Sequence, residues 1–322
     1  MNRTQRVVVF GECMLELQGQ AFGAMRQTFG GDTLNTAVYL ARLLAATPGW
    51  AVQYATGLGT DALSEGLMQR WQAEGLDVDL VRRIDGRLPG LYLIETDDRG
   101  ERHFSYWRDH SAARAYFDLP PGERTPLERL AHASKVAVLY FSGISLAILA
   151  PVARERLLAL AAHMRDRGAR VVFDNNYRPR LWPDSAQARL AYERAWALAD
   201  IGLATADDHQ ALMGLPNEAA TLASLAALPT PELVVKRGAA DTLWRDRSGA
   251  DWNAVPTVPV PGVVDTTAAG DAFAAAYLAG RLLGWPADQA AAFGNRLAAR
   301  VIAHPGALIP LAAMADLVPN PV

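Results

Sequence analysis

The residues best suited to chemistry close the run Val263-Val264-Asp265-Thr266-Thr267-Ala268-Ala269-Gly270-Asp271-Ala272-Phe273. A strand-like stretch over 257–264 leads into it, and an alanine-rich helix is expected over about 268–283. The small residues Ala268, Ala269 and Gly270 fall where that helix begins. A helix start has unpaired backbone N–H groups and a partial positive charge, so it can hold an anion such as phosphate. Small side chains let the anion come close to the backbone. Asp271 then falls in the first turn. A carboxylate beside a phosphate is repulsive unless its task is to take a proton from an incoming hydroxyl. Anion hole and base together suit phosphoryl transfer to an alcohol. The same spacing also suits a plain helix start, with Thr267 as N-cap and Asp271 complementing the helix dipole. The run by itself leaves both readings open.

The elements that must position this run follow an α/β pattern. Strands are expected over 6–10, 14–17, 50–56 and 78–83, and helices over 36–44 and 61–73. Asp32 is placed as the N-cap of the first helix, after the glycine pair Gly30-Gly31. Segments 90–97 and 101–107 form a hairpin around Asp98-Arg99-Gly100. From residue 135 onward strands are expected over 136–141, 170–174, 201–204 and 232–235, with helices over 151–167, 185–199 and 287–303 between or after them. A second hairpin is read over 241–245 and 251–255. Strands alternating with helices imply a doubly wound, mostly parallel sheet with helices on both faces. Ligands of such sheets sit at the carboxyl ends of the strands. The loops at those ends are 175–180, 205–208, 236–238 and 265–271. No repeat, low-complexity tract or linker divides the chain, so residues 1–322 read as one α/β domain, with lid insertions at about 11–30 and 88–112.

Composition narrows the class. The chain has 322 residues, 51% of them hydrophobic, and a net charge of −3. That charge gives no reason to expect nucleic acid or an anionic membrane as partner. Only two of the 31 basic residues are lysines, Lys135 and Lys236, and neither follows a glycine, so there is no Walker A loop. The protein-kinase motif set is missing too. The six histidines form no zinc-binding pattern, and no resident metal site is expected. One cysteine, Cys13, fits a reducing compartment. The polar start at residues 1–6 carries no signal-peptide pattern, and the apolar stretch 136–153 is interrupted by Ser142, Gly143, Ser145 and Pro151. A cytoplasmic protein is expected.

Asp265-Thr266-Thr267-Ala268-Ala269-Gly270-Asp271 resembles the C-terminal signature of the ribokinase-like (PfkB-type) carbohydrate kinases, usually written D-T-x-G-A-G-D. It departs from that pattern at Ala268, where glycine is usual; one added methyl is not expected to block the amides. Gly30-Gly31 with Asn35 resembles the N-terminal signature, whose loop touches sugar hydroxyls. The resemblance runs over roughly 7–303. It implies the ribokinase-like fold with a small β-sheet lid over the acceptor, and a homodimer formed through that lid. It also implies ATP and Mg2+ as cosubstrate and cofactor, and leaves open a monovalent cation beside the anion hole. Asp271 would be the catalytic base.

The resemblance places Gly30, Gly31 and Asn35 at the acceptor, with Tyr92, Tyr106 and Arg108 from the lid. It places Asn176, Thr205, Lys236, Arg237 and Gly238 along the nucleotide phosphates, and Asn295 near the adenine. Arg178, beside the site in Asp174-Asn175-Asn176-Tyr177-Arg178, and Arg108, in Tyr106-x-Arg108, bear on the acceptor. A neutral sugar needs hydroxyl partners, whereas a carboxylate pairs with guanidinium in a bidentate way. A sugar acid is therefore expected as acceptor. With Gly11-Glu12-Cys13-Met14 and Gly90-Leu91-Tyr92, these residues resemble the branch of the family that acts on 2-keto-3-deoxy sugar acids, which implies such an acid phosphorylated on its terminal hydroxyl. A neutral-sugar kinase of fructokinase or ribokinase type, a nucleoside kinase and a non-catalytic sugar or nucleotide sensor on the same scaffold remain open.

Overall fold

Val7-Val8-Val9-Phe10 shows what the main sheet demands: all four side chains are fully buried. Val7 and Val9 enter one core and Val8 and Phe10 the other. Such unbroken apolar strands belong to a sheet covered on both faces. The computed structural model describes residues 4–20, 22–96, 102–247 and 251–319.

The first half of the chain runs β1 Gln5–Phe10, β2 Met14–Gly19, β3 Met25–Gly30, α1 Asp32–Leu44, β4 Trp50–Leu58, α2 Ala62–Ala73, β5 Val81–Arg83, β6 Gly90–Thr96 and β7 Arg102–Trp107. Then come α3 Pro126–Ala133, β8 Val138–Ser142, α4 Gly143–Ala147, α5 Pro151–Asp166, β9 Arg170–Asp174 and α6 Ser185–Leu198. The last part holds β10 Ile201–Thr205, α7 Ala206–Met213, α8 Glu218–Ala226, β11 Glu232–Arg237, β12 Ala240–Arg245, β13 Asn253–Val255, α9 Ala269–Leu282 and α10 Ala287–Ile302.

Among the described residues, nine strands form the main sheet in the order β13-β12-β11-β10-β9-β8-β1-β4-β5. It is parallel from β11 to β5; β12 runs against it, and β13, antiparallel to β12, points the same way as β11. β1 lies between β4 and β8, so the chain winds to one side first and to the other later. A crevice opens at such a reversal, beyond the carboxyl ends of the strands. Helices α1, α9 and α10 cover one face, and α5 and α6 the other. A separate four-stranded sheet, β3-β2-β6-β7, takes its strands from two distant stretches of chain. Among the described residues no helix is long and apolar enough to cross a membrane.

Several boundaries differ from expectation. Residues 257–264 are not a strand; Pro256, Pro259 and Pro261 each lack the N–H that a sheet ladder needs. Asp32 is the first helical residue of α1 and Gly31 its N-cap. Thr205 ends β10 and α7 starts at Ala206, so the expected loop at 205–208 is largely helix. β3, α3 and α8 were not anticipated. The hairpin turn assigned to 98–100 lies outside the described residues.

Candidate active site

α9 begins in an unusual way. Its N-cap, Ala268, has φ 61°, in the left-handed region, and makes no side-chain capping bond. Thr267 is therefore not the cap. The loop is held instead by Asp265, whose Oδ1 accepts from the Thr267 amide at 3.0 Å and hydroxyl at 2.7 Å. Its Oδ2 accepts from the Gly306 amide at 3.0 Å, which ties the start of α9 to the chain beyond α10. The Ala269 N–H closes a turn onto the Thr266 carbonyl at 3.2 Å. The next first-turn amides, of Gly270 and Asp271, have no acceptor within the helix.

Asp271 faces α1. Asn35 Nδ2 donates to Asp271 Oδ2 at 2.8 Å, and the Thr36 hydroxyl donates to the Asp271 carbonyl at 3.3 Å. Asn35 is delivered by the Gly31 turn. A side chain at Gly31 would put its Cβ 2.2 Å from the Glu12 carbonyl oxygen, so only glycine fits there. Burial, followed by the charge of Asp32, pushes the Asp271 carboxyl from 3.8 up to about 7, while the Asn35 hydrogen bond and Lys236 pull the other way. A carboxylate that exchanges its proton near neutral pH is suited to general-base work. Asn35 keeps its own Oδ1 buried and unpaired, an acceptor with room for a hydroxyl.

Two further carboxylates border the same cavity. Asp32 Oδ2 accepts from Asn176 Nδ2 at 2.8 Å; burial raises its carboxyl, partly offset by the Ser142 hydroxyl. Asp174, the last residue of β9, accepts from Lys236 Nζ at 2.8 Å and from the Tyr140 hydroxyl at 3.3 Å, both on Oδ2. Its Oδ1 is buried without a partner. Asn176 sits at φ 22°, and the neighbouring Asn175 bridges to β10, donating to the Thr205 carbonyl at 3.0 Å and accepting from the Thr205 amide at 2.8 Å.

The cavity enclosed by these groups has a volume of about 550 Å³, in the size range of small-ligand sites. Arg178 reaches it from the loop after β9. Its guanidinium is half exposed and only loosely tied to Asp208, at 3.4 Å. The lid supplies Tyr92, Tyr106 and Glu16. Tyr92 donates to Glu16, which also accepts from Thr28 at 2.8 Å. Tyr92 and Tyr106 stack with their rings 6.0 Å apart. At the far end lie Arg237, Gly238, Phe273 and Asn295. Arg237 is engaged with Glu218 at 2.6 Å. The Asn295 amide accepts from Thr242 at 2.8 Å and donates to the Pro256 carbonyl at 3.0 Å, so it braces the cavity wall.

Thus Gly31, Asn35, Tyr92, Tyr106, Asn176, Arg178, Thr205, Lys236, Arg237, Gly238, Ala268, Ala269, Gly270, Asp271 and Asn295 line one cavity. Two expected residues do not. Gly30 lies behind it, where a Cβ would meet the Tyr92 hydroxyl at 2.9 Å. Arg108 is buried outside the lining, paired with Glu12, which also accepts from Ser111. A buried carboxylate draws the nearest guanidinium to itself, and Glu12 captures Arg108 before the cavity can. Asp174 and Glu16 were missed as lining residues, and Asp265, the first residue of the signature run, was not expected as the brace of its loop. Asp174 carried a signal of its own, a carboxylate at the carboxyl end of a parallel strand.

A family profile described as pfkB family carbohydrate kinase matches residues 4–314. The 2-dehydro-3-deoxygluconokinase of Dickeya dadantii (strain 3937) is 44% identical over 313 residues, spanning 97% of this chain and 99% of that protein. The crystal structure of 2-dehydro-3-deoxygluconokinase from Thermotoga maritima superposes with a TM-score of 0.80 at 21% identity, over 98% of this chain and 99% of that one. Aminoimidazole riboside kinase from Salmonella enterica, complexed with aminoimidazole riboside and an ATP analog, superposes at 0.77 with 26% identity, over 97% and 98% of the two chains.

Proposed function

The chain belongs to the pfkB family of carbohydrate kinases, and on that premise we propose that it moves the γ-phosphate of ATP onto the terminal hydroxyl of 2-dehydro-3-deoxygluconate. The carrying observation is Asp271. It stands in the first turn of α9, beside free amides, held by Asn35 and with its carboxyl pushed up to about 7.

Asp271 takes the proton of the acceptor hydroxyl as that oxygen attacks the γ-phosphorus in line. The amides of Gly270 and Asp271 hold the charge on the transferred group. Ala268 and Ala269 leave room for it. Arg178 takes the acceptor carboxylate; its loose tie to Asp208 is easily exchanged for a bidentate pair. Tyr92, Tyr106, Gly31 and Asn35 surround the sugar hydroxyls. Thr205, Arg237, Gly238 and Asn176 flank the nucleotide phosphates, with the adenine toward Asn295. Magnesium fits the donors present, since it needs only one or two carboxylates besides phosphates and water. The unpaired Oδ1 of Asp174, with Asp32, offers these; bound, the ion would neutralise charge on the β and γ phosphates. A monovalent cation would find carbonyls near the start of α9. We read the chain as one catalytic domain with a lid. Trp107 and Phe104 of that lid are 60% and 42% exposed, an apolar surface that a second copy would cover, giving a dimer.

The test is an ADP-release assay with ATP and magnesium against 2-dehydro-3-deoxygluconate, fructose, ribose and adenosine in parallel. The sugar acid should be strongly preferred, and Arg178→Ala should raise its KM well above any change in the KM for ATP. Equal turnover with fructose would refute the guanidinium argument and leave a neutral-sugar kinase.

A further inference from the structure

Lys236 is one of two lysines in a chain that otherwise uses arginine for its cations. Strand alternation explains its direction. Val234 points into the core under α1 and α9 while Leu233 and Val235 point to the opposite one, so Lys236 emerges on the α9 side. There it spans β10 to reach Asp174 Oδ2 at 2.8 Å. Its Nζ is also 3.4 Å from where a Cβ on Gly270 would stand, against the amides that start α9. Arg237, the next residue, leaves on the other face for Glu218.

We infer, on the kinase reading above, that Lys236 is a catalytic residue: its ammonium moves from Asp174 onto the oxygens of the phosphoryl group as that group crosses the amides of Gly270 and Asp271. The acceptor oxygen forms its bond to phosphorus, the bond from phosphorus to the β-side oxygen breaks, ADP leaves, and the acceptor proton goes to Asp271. Lys236 takes no proton in this step. A lysine suits the task better than an arginine. Its compact charge on a flexible stem can swing between two partners, whereas a guanidinium held by a carboxylate is a fixed planar fork. The Tyr140 hydroxyl stays on Asp174 Oδ2 when the ammonium leaves.

The experiment compares wild type, Lys236→Met and Lys236→Arg in the same ADP-release assay with 2-dehydro-3-deoxygluconate, with the double variant Asp174→Asn/Lys236→Met as a folding control. Turnover is read at pH 9, above the ionisation of Asp271, so a change in that carboxyl cannot account for a loss. Wild-type turnover of the sugar acid is the premise: its absence would overturn the kinase reading and this inference with it, whereas normal turnover in the Lys236 variants would overturn this inference alone. Lys236→Met should lower kcat about 10²–10³-fold, the size of losing one anion-hole contact, with the KM for the sugar acid little changed and Lys236→Arg recovering only part. The double variant leaves no buried unpaired charge, so it guards against misfolding. Because Asp174 itself borders the phosphate site, this variant is read for melting temperature only. If Lys236→Arg, which keeps a cation beside Asp174, restores wild-type kcat in full, Lys236 serves only to neutralise Asp174 and the inference falls. A change in KM alone in Lys236→Met would overturn it too.

Discussion

Ala268 carries a cost that its sequence context hides. An L-residue in the left-handed region loses roughly 1 kcal/mol to the clash of its Cβ with the backbone, and Ala268 sits there at φ 61°. The backbone conformation, rather than the reach of the methyl toward the amides, is the larger effect. Ala268→Gly should therefore raise the unfolding free energy by about 1 kcal/mol, read as a shift in the urea midpoint. A lower midpoint would mean that the methyl makes packing contacts worth more than the strain. The other site residues show a second pattern. Asn35 and Asp271 are 236 positions apart and Lys236 and Asp174 are 62 apart. Their types could be read from the sequence, but their partners could not.

At the scale of elements, Arg108 matters most. It follows β7 at the exit of the lid, and its pair with Glu12 joins that exit to the end of β1. Both groups are buried, at 8% and 1% exposure. Removing one partner leaves a charge in the interior, at a cost of about 3 kcal/mol, somewhat relieved by the Ser111 hydroxyl. Arg108→Ala should lower the melting temperature clearly and by the same amount with or without the sugar acid. Unchanged melting together with a higher KM for the acceptor would return Arg108 to the cavity. This pair was illegible because Glu12 and Arg108 are 96 positions apart. Elements with strong local signals were legible: β9 has the expected bounds, 170–174. β3 was not, since Met25–Gly30 is exposed over its first three residues and its order comes from pairing with β2. α3 could have been found, because Thr125-Pro126-Leu127-Glu128 is a capping box.

For the whole molecule, the reversal of strand order at β1 gathers distant loops at one end of the sheet. That rule let the sequence name most of the cavity lining before any contact was known. The same gathering sets carboxylates Asp32, Asp174 and Asp271 around one cavity, and such crowding opposes folding in return for function. The sign follows from Asp271. Its carboxyl titrates near 7 when folded against 3.8 as the ordinary value. Stability is unaffected below about 3.8, falls as pH rises toward 7, and stays at the lower level above. The penalty is at most about 4 kcal/mol from the pKa difference, and the partly open site makes it smaller.

Asp271→Asn is thus the most direct test of the central claim, that this carboxylate is the base of a sugar-acid kinase. The variant should be measured at pH 8 for turnover of 2-dehydro-3-deoxygluconate and for melting temperature, with melting repeated at pH 4. The account predicts a loss of turnover of at least about 10²-fold in a protein that melts higher than wild type at pH 8 and equally at pH 4. Wild-type turnover in a folded Asp271→Asn protein would contradict it.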